Sequence, residues 1–254
     1  MENREKFLAG ATDDLREILS KIFDRALAAN KSGRAMFSPF LSEAEYAQFL
    51  QRKKHIDFTE VTAFGGYDEA NRVVLRFGDD NEGFPISVIK ITGRGLDKLR
   101  HGDFLGSIMS LGIERGKIGD IIRNGEECIV LSDEVIAPYI ADSLRSVGGV
   151  YVNCTIENMC DVKIEAKFET ITGTVASLRA DSVVSVMLKT SRSKAADYIE
   201  AQQFYLNQVL CTKCDKEIKE NDILTVRHYG KAKLKSVSGL SKKGRIFITI
   251  QKYM

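Results

Sequence analysis

The sequence predicts an α+β protein in three parts, and three observations carry that prediction. Residues 1–82 mix helical and strand spacing. Residues 83–165 read as strand-helix-strand-strand-helix-strand. Residues 172–254 combine short helices and strands in a strongly basic stretch. The 254 residues suffice for two or three small domains, and a 44% hydrophobic content suffices for ordinary cores.

In the N-terminal α/β part, Leu15, Ile18, Leu19, Ile22, Phe23 and Leu27 recur at helical spacing. Ser42-Glu43-Ala44-Glu45 is a capping-box pattern, so a second helix is expected there, burying Tyr46, Phe49 and Leu50. Strands are expected at 61–64 and 72–77, either side of Gly65-Gly66-Tyr67-Asp68-Glu69-Ala70-Asn71. Gly78-Asp79-Asp80-Asn81-Glu82-Gly83 reads as a linker.

The middle part opens with a strand at 86–92, left by the turn Gly93-Arg94-Gly95. A helix carries Phe104, Leu105, Ile108 and Met109 and stops at Gly112. Asn124-Gly125 signals a hairpin between arms at 119–123 and 127–131. A second helix is expected from Asp133 to Val147, with Pro138 as a kink and Gly148-Gly149 as its end. A strand at 150–156 closes the unit. This is the ferredoxin-like, split βαβ order, shared with the RNA-recognition motif. That motif stacks bases on aromatics of its central strands, and strands 86–92 and 127–131 have none. The sheet is therefore expected to pack against the N-terminal part. Arg94, Lys98, Arg100, Arg115 and Lys117 fall in its loops, facing phosphates or solvent.

The C-terminal part shows two short helical patterns, Val183-Val184 with Met187-Leu188, then Ala195-Ala196 with Ile199. Strands are expected at 204–210, 223–227 and 245–251. The charge is uneven. Residues 177–254 hold 15 basic and 7 acidic side chains, a net of +8, while residues 1–176 net −6. Such asymmetry points to a polyanion-binding module. Arg192 and Lys194 stand in the first turn of the helix after Ser191, at the positive pole of its dipole. An external anion would relieve that conflict, and a helix N-terminus suits phosphate.

Other chemistries find little support. No apolar run approaches the ~18 residues a membrane span needs. Met1-Glu2-Asn3-Arg4-Glu5-Lys6 opens no signal-peptide core, so the chain is expected to be cytoplasmic; a monomer is expected. Five cysteines read as reduced thiols. Cys211-x-x-Cys214 is half a zinc site, whose other half would need Cys128, Cys154, Cys160 or His228. Gly93-Arg94-Gly95 lacks the third glycine of a dinucleotide loop and the Lys-Ser/Thr of a P-loop. His55 and His101 are isolated, and no triad or carboxylate pair stands out. No catalysis, cofactor or metal is expected.

The C-terminal part resembles the small RNA-binding domain first described in ribosomal small-subunit protein four. The matches are Arg179 and Asp181, Ser191-Arg192, Lys194-Ala195, Ile199, Leu206-Asn207 and Asp222. Ala180 replaces a leucine of the pattern, and Gln202 and Asn221 stand where it has glycines. Taken whole, the chain resembles the bacterial YlmH family. Carriers are the segment from Gly65-Gly66-Tyr67 to Arg72, Gly93-Arg94-Gly95-Leu96-Asp97, and His101-Gly102-Asp103-Phe104-Leu105-Gly106. Leu111-Gly112-Ile113 and Gly230-Lys231-Ala232-Lys233 complete the set.

The resemblance implies a ribosome-associated factor for large subunits obstructed by peptidyl-tRNA. Its S-four-type domain would sit between ribosomal RNA and tRNA and support rescue or tailing of the stalled chain. The RNA contacts expected are Arg179, Ser191, Arg192, Lys194, Asn207, Lys231 and Lys233, extended by the tail from Lys242 to Arg245. The rival expectations are an RNA-modifying enzyme of pseudouridine-synthase type and a division-associated scaffold. The enzyme needs a catalytic carboxylate or cofactor pocket in residues 1–160. The scaffold needs an exposed apolar patch.

Overall fold

The computed structural model describes residues 2–68, 70–79, 83–159, 168–241 and 243–253. The fold is mixed α+β and divides into two compact units, Met1–Ile164 and Glu165–Met254. The first two parts read from the sequence thus lie in one unit.

The first unit starts with α1 (Glu2–Leu8), absent from the sequence reading, and α2 (Asp13–Ser32). α2 buries Leu19, Ile22 and Phe23 as its spacing requires, together with Ala26 and Ala29. β1 (Met36–Phe37) leads to α3 (Glu43–Arg52). Both halves of the capping box form. The Glu45 amide donates to Ser42 Oγ at 3.3 Å, and the Ser42 amide to Glu45 Oε2 at 2.5 Å. Phe49 is buried, but Leu50 is 48% exposed, against expectation. One residue further round the helix leaves the buried stripe. β2 (Val61–Phe64) and β3 (Val74–Phe77) complete a sheet ordered β1-β3-β2. Glu69 of the expected turn and residues 80–82 of the expected linker lie outside the described residues.

Next come β4 (Ile86–Thr92), α4 (His101–Met109), β5 (Ile118–Asn124) and β6 (Glu127–Asp133). α5 (Ala137–Ser143), β7 (Ser146–Val147), β8 (Val150–Tyr151) and β9 (Asn153–Glu157) follow. The antiparallel sheet runs β5-β6-β4-β9. Asn124 pairs with Glu127, so the hairpin loop is Gly125-Glu126, one residue later than an Asn-Gly loop. The long second helix does not form. Residues up to Asp133 belong to β6, and residues 146–147 form β7. Pro138 sits in the first turn of α5, where a missing N–H costs nothing, so it starts the helix and does not kink it.

Both faces of this sheet are covered. Ile89, Ile91, Cys128 and Val130 pack with Phe104, Ile108 and Ile140 from α4 and α5. Val88, Ile129 and Leu131 pack with Phe37, Phe40, Phe64 and Val74 from the N-terminal elements. Gly119 makes that second contact close: a Cβ there would lie 2.6 Å from Phe40 Cε1. A polar clamp reinforces it. Buried Asp120 accepts the Tyr67 hydroxyl at 2.8 Å and the Asn71 amide at 2.6 Å. Arg72, expected in a strand, instead donates to Ile118 O at 3.0 Å and Phe40 O at 2.8 Å. Burial, followed by the nearby Arg115 charge, lowers its pKa to about 10. Tyr67, Asn71 and Arg72, from the segment that carries the family resemblance, are thus part of the joint.

The second unit opens with β10 (Phe168–Val175), α6 (Ala180–Met187) and α7 (Arg192–Glu200). β11 (Phe204–Leu206), β12 (Val209–Leu210), β13 (Ile223–Val226), β14 (Gly230–Leu240) and β15 (Ile246–Tyr253) follow. They form one sheet, β10-β15-β14-β13-β11-β12. One face meets Val183, Val184, Met187, Ala195 and Ile199 of the two helices through Ile171, Leu224, Leu234, Ile248 and Ile250. β10 and β14 are additions to the sequence reading. β14 is lysine-rich, but Ala232 and Leu234 alternate inward between its lysines.

Candidate nucleic-acid interface

The candidate interface is built at the starts of α6 and α7. Ser191 caps α7 with its hydroxyl, which accepts the Lys194 amide at 3.2 Å. Arg192 therefore opens the helix, and Lys194 lies exposed in its first turn. At α6 the first amides are taken by backbone: Ala180 N donates to Lys216 O at 2.8 Å and Asp181 N to Cys214 O at 3.1 Å. The α6 start is thus closed to an anion, whereas its first-turn carboxylate suits the dipole.

That carboxylate organises the site. Asp181 Oδ2 receives Arg192 Nη2 at 2.8 Å and Arg179 Nη2 at 3.2 Å. Ser182 Oγ donates to Oδ1 at 3.2 Å. The Asp181 side chain is 8% exposed, while those of Arg179 and Arg192 are 42% and 53% exposed. Burial alone would raise the Asp181 pKa. The hydrogen bonds from Arg192 and then Arg179 outweigh it and hold the pKa at about 2. Asp181 in turn raises the Arg179 pKa through that hydrogen bond. The expected conflict at the start of α7 is therefore relieved from within. A buried anion fixes Arg192, so an external anion is not needed to hold it. Two half-exposed guanidinium groups still share a single carboxylate, which leaves a fixed, net positive edge. Sequence pattern marks Asp181 only as a motif match; its role appears when α6 and α7 meet.

Arg179, Ser191, Arg192 and Lys194 are brought together. The other expected contacts are elsewhere. Asn207 sits in the β11–β12 turn, where Asn207 and Gln208 have φ 50° and 66°. Its side chain donates to Asp222 Oδ1 at 2.8 Å and accepts the Ile223 amide at 2.8 Å, so it closes the turn. Lys231 and Lys233 project from β14 on the sheet face away from the helices. Lys231 Nζ lies 4.2 Å from the Tyr253 ring centroid. Arg245 donates to Thr174 O at 2.7 Å, Lys243 is exposed, and Lys242 lies outside the described residues.

Gln202 and Asn221, where the S-four pattern has glycine, hold left-handed φ of 59° and 69°. Gln202 ends α7 in a Schellman arrangement, with Gln202 N on Ile199 O and Gln203 N on Tyr198 O. Gly93 has a steric reason as well: a Cβ would lie 2.7 Å from Tyr151 O. Among the loop cations, Lys117 pairs with Asp133 at 2.8 Å. Cys211 Sγ donates to Lys213 O, while Cys214 Sγ lies 3.9 Å from Glu200 Oε1. Cys160 lies outside the described residues. Among the described residues no group of three His, Cys, Asp or Glu is placed to hold a metal, and no helix is long and apolar enough to cross a membrane.

Residues 80–173 match the family model described as "Putative RNA-binding domain in YlmH". The chain is 26% identical over 221 residues, 80% of its length, to a Bacillus subtilis (strain 168) protein, covering 85% of that protein. That relative is named ribosome-associated protein quality control protein P2. The cell division protein ylmH from Streptococcus pneumoniae shares the fold, with TM-score 0.51 and 19% identity. That match covers 61% of this chain and 97% of the other. The chain thus matches a YlmH RNA-binding domain model over its middle part and is similar to a ribosome-associated quality control protein along most of its length.

Proposed function

We propose that this chain is a non-catalytic, ribosome-associated RNA-binding protein of translation quality control, acting on large subunits obstructed by peptidyl-tRNA. The observation that carries the reading is the pair Arg179 and Arg192, both held on buried Asp181 at the start of the helices. A preorganised pair of guanidinium groups loses little freedom when it meets phosphates, which is how arginine recognises a nucleic-acid backbone. Phosphate contacts set position and not sequence, so recognition rests on RNA shape. In this reading the second unit is an S-four-type domain, and the β5-β6-β4-β9 sheet is a ferredoxin-like unit whose covered faces leave RNA contact to its loops. The relative's name and the domain model support the ribosomal and RNA-binding parts. The protein acts as a cytoplasmic monomer contacting ribosomal RNA and tRNA together.

The test is co-sedimentation with large subunits, empty or carrying peptidyl-tRNA. Lys194→Glu is the informative variant, because Arg192 also supports the fold through Asp181. Wild type should prefer the loaded subunit. The variant should bind more weakly, with its salt slope reduced by about 1. An unchanged slope removes Lys194 from the interface. Equal binding to empty and loaded subunits removes the peptidyl-tRNA part of the reading.

A further inference from the structure

We propose that a pocket beside Arg179 in the second unit receives one unpaired guanine base of a bound RNA strand. The inference rests on the reading of the chain as an RNA-binding protein and adds one base contact to recognition by shape. The pocket has a volume of about 300 Å³ and is lined by Ala176, Ser177, Leu178, Arg179, Glu217 and Ile246. That is the low end of the range for small-molecule sites, room for one flat ring system. Its lining residues are exposed or half-buried, so it opens at the surface.

Backbone pairing builds it. The segment that leads from β10 into α6 runs antiparallel to residues 216–218. Ala180 N donates to Lys216 O at 2.8 Å, and Ile218 N to Leu178 O at 2.8 Å. These two bonds flank the opposed pair Arg179 and Glu217. In such a non-hydrogen-bonded pair both side chains leave on one face, at the closer of the antiparallel spacings. Asp181 nevertheless takes the Arg179 guanidinium, at 3.2 Å. Among the described residues no cation pairs with Glu217. The lining thus holds a fixed cation and a carboxylate side by side. Its walls are firm as well, because Leu178 and Ile246 pack against the buried core of the unit.

A cation, a carboxylate and apolar walls complement a ligand that joins an anion, hydrogen-bond donors and a flat face. A nucleotide whose base carries donors has all of these. Guanine offers two adjacent donors on its Watson–Crick edge, N1–H and the N2 amino group, and a carboxylate accepts two parallel bonds. Adenine and cytosine place an acceptor beside their amino group, and uracil has one donor between two acceptors. In a duplex that edge is already paired, so the base comes from a loop, bulge or end. The half-exposed Arg179 guanidinium takes the adjoining phosphate. Free guanosine monophosphate has the same chemistry, but it lacks the flanking phosphates that Arg192 and Lys194 would meet, so the strand is the source.

The test uses the full chain and labelled oligo-uridine strands of about twelve nucleotides with one central guanosine, inosine or adenosine. Inosine keeps N1–H and lacks the amino group. Wild type should bind the guanosine strand about 10-fold more tightly than the other two. Glu217 is exposed, so Glu217→Gln leaves the core untouched. It should weaken the guanosine strand about 10-fold. The inosine and adenosine strands should bind as before or tighter, because a negative charge is gone. A Glu217 that acted only as a surface charge would let all three strands bind tighter together, and that outcome overturns the proposal. So does a wild type that binds the three alike. Guanosine monophosphate should compete far more weakly than the strand, and equal competition overturns the strand as the source. Sedimentation with large subunits separates the two readings. Retained ribosome binding with no guanosine preference defeats only the pocket, and loss of both in wild type defeats the RNA-binding reading itself.

Discussion

The two large sheets of this molecule invert what strand order alone would suggest. The β5-β6-β4-β9 sheet has the order of an RNA-recognition motif, yet helices cover one face and Phe37, Phe40 and Phe64 the other. The β10-β15-β14-β13-β11-β12 sheet has no such order, and among the described residues one of its faces packs against helices. Its other face carries Lys231 and Lys233. What a sheet can bind is set by what packs on each face and by the side chains alternation puts there. Topology sets neither.

The largest effect should come from the anchor of the second unit. Asp181 has its pKa lowered to about 2, so it stabilises the fold while ionised in the native state. That contribution is full above the ordinary carboxylate pKa and is lost as pH falls through about 4 toward 2. The expected loss is about 2 kcal/mol. Replacing both partners, Arg179→Met with Arg192→Met, leaves the carboxylate buried and unpaired. It should cost about 3 kcal/mol at neutral pH. Hydrogen exchange of α6 and α7 should show it, with the first unit unaffected. Uniform loosening of both units would mean that they do not unfold independently.

A smaller effect should break the covered sheet. Gly119→Val drives a side chain into Phe40 and should destabilise the first unit by about 2 kcal/mol. Thermal unfolding checks it. RNA affinity of the second unit should not change, because its cations are all on other elements. If RNA binding falls in proportion, the middle sheet contributes directly to the interface.

The smallest effect runs the other way. Gln202 holds φ 59° at the end of α7, a conformation that costs a residue with a Cβ about 1 kcal/mol. Gln202→Gly should therefore stabilise the second unit by up to about 1 kcal/mol. A melting temperature that falls would show that the glutamine side chain supports its neighbourhood.

Much of the fold was legible from local pattern. The stripe of α2, the capping box of α3 and the Ser191 cap of α7 all follow from residues within one or two turns, so neighbours along the chain suffice to specify them. Pattern failed where a local signal had two readings. Asp133 and Pro138 looked like parts of one long helix, but β6 kept the first and α5 started at the second. The lysines of β14 masked an inward alternation of Ala232 and Leu234. Of the site, the residues at the start of α7 were readable because charge and capping lie close together in sequence.

By itself, the sequence determined the mixed α+β class, the basic second unit, the helix start at Ser191 and the family resemblance. Each of these depends on residue type and short spacing. Only the tertiary structure decided the rest. It brought Arg179 and Arg192 onto one buried Asp181, closed the start of α6 with carbonyls from Cys214 and Lys216, and spent Asn207 on its own turn. It also covered the β5-β6-β4-β9 sheet on both sides. These outcomes join residues far apart in the chain, and burial and pairing between distant segments have no signature in local spacing.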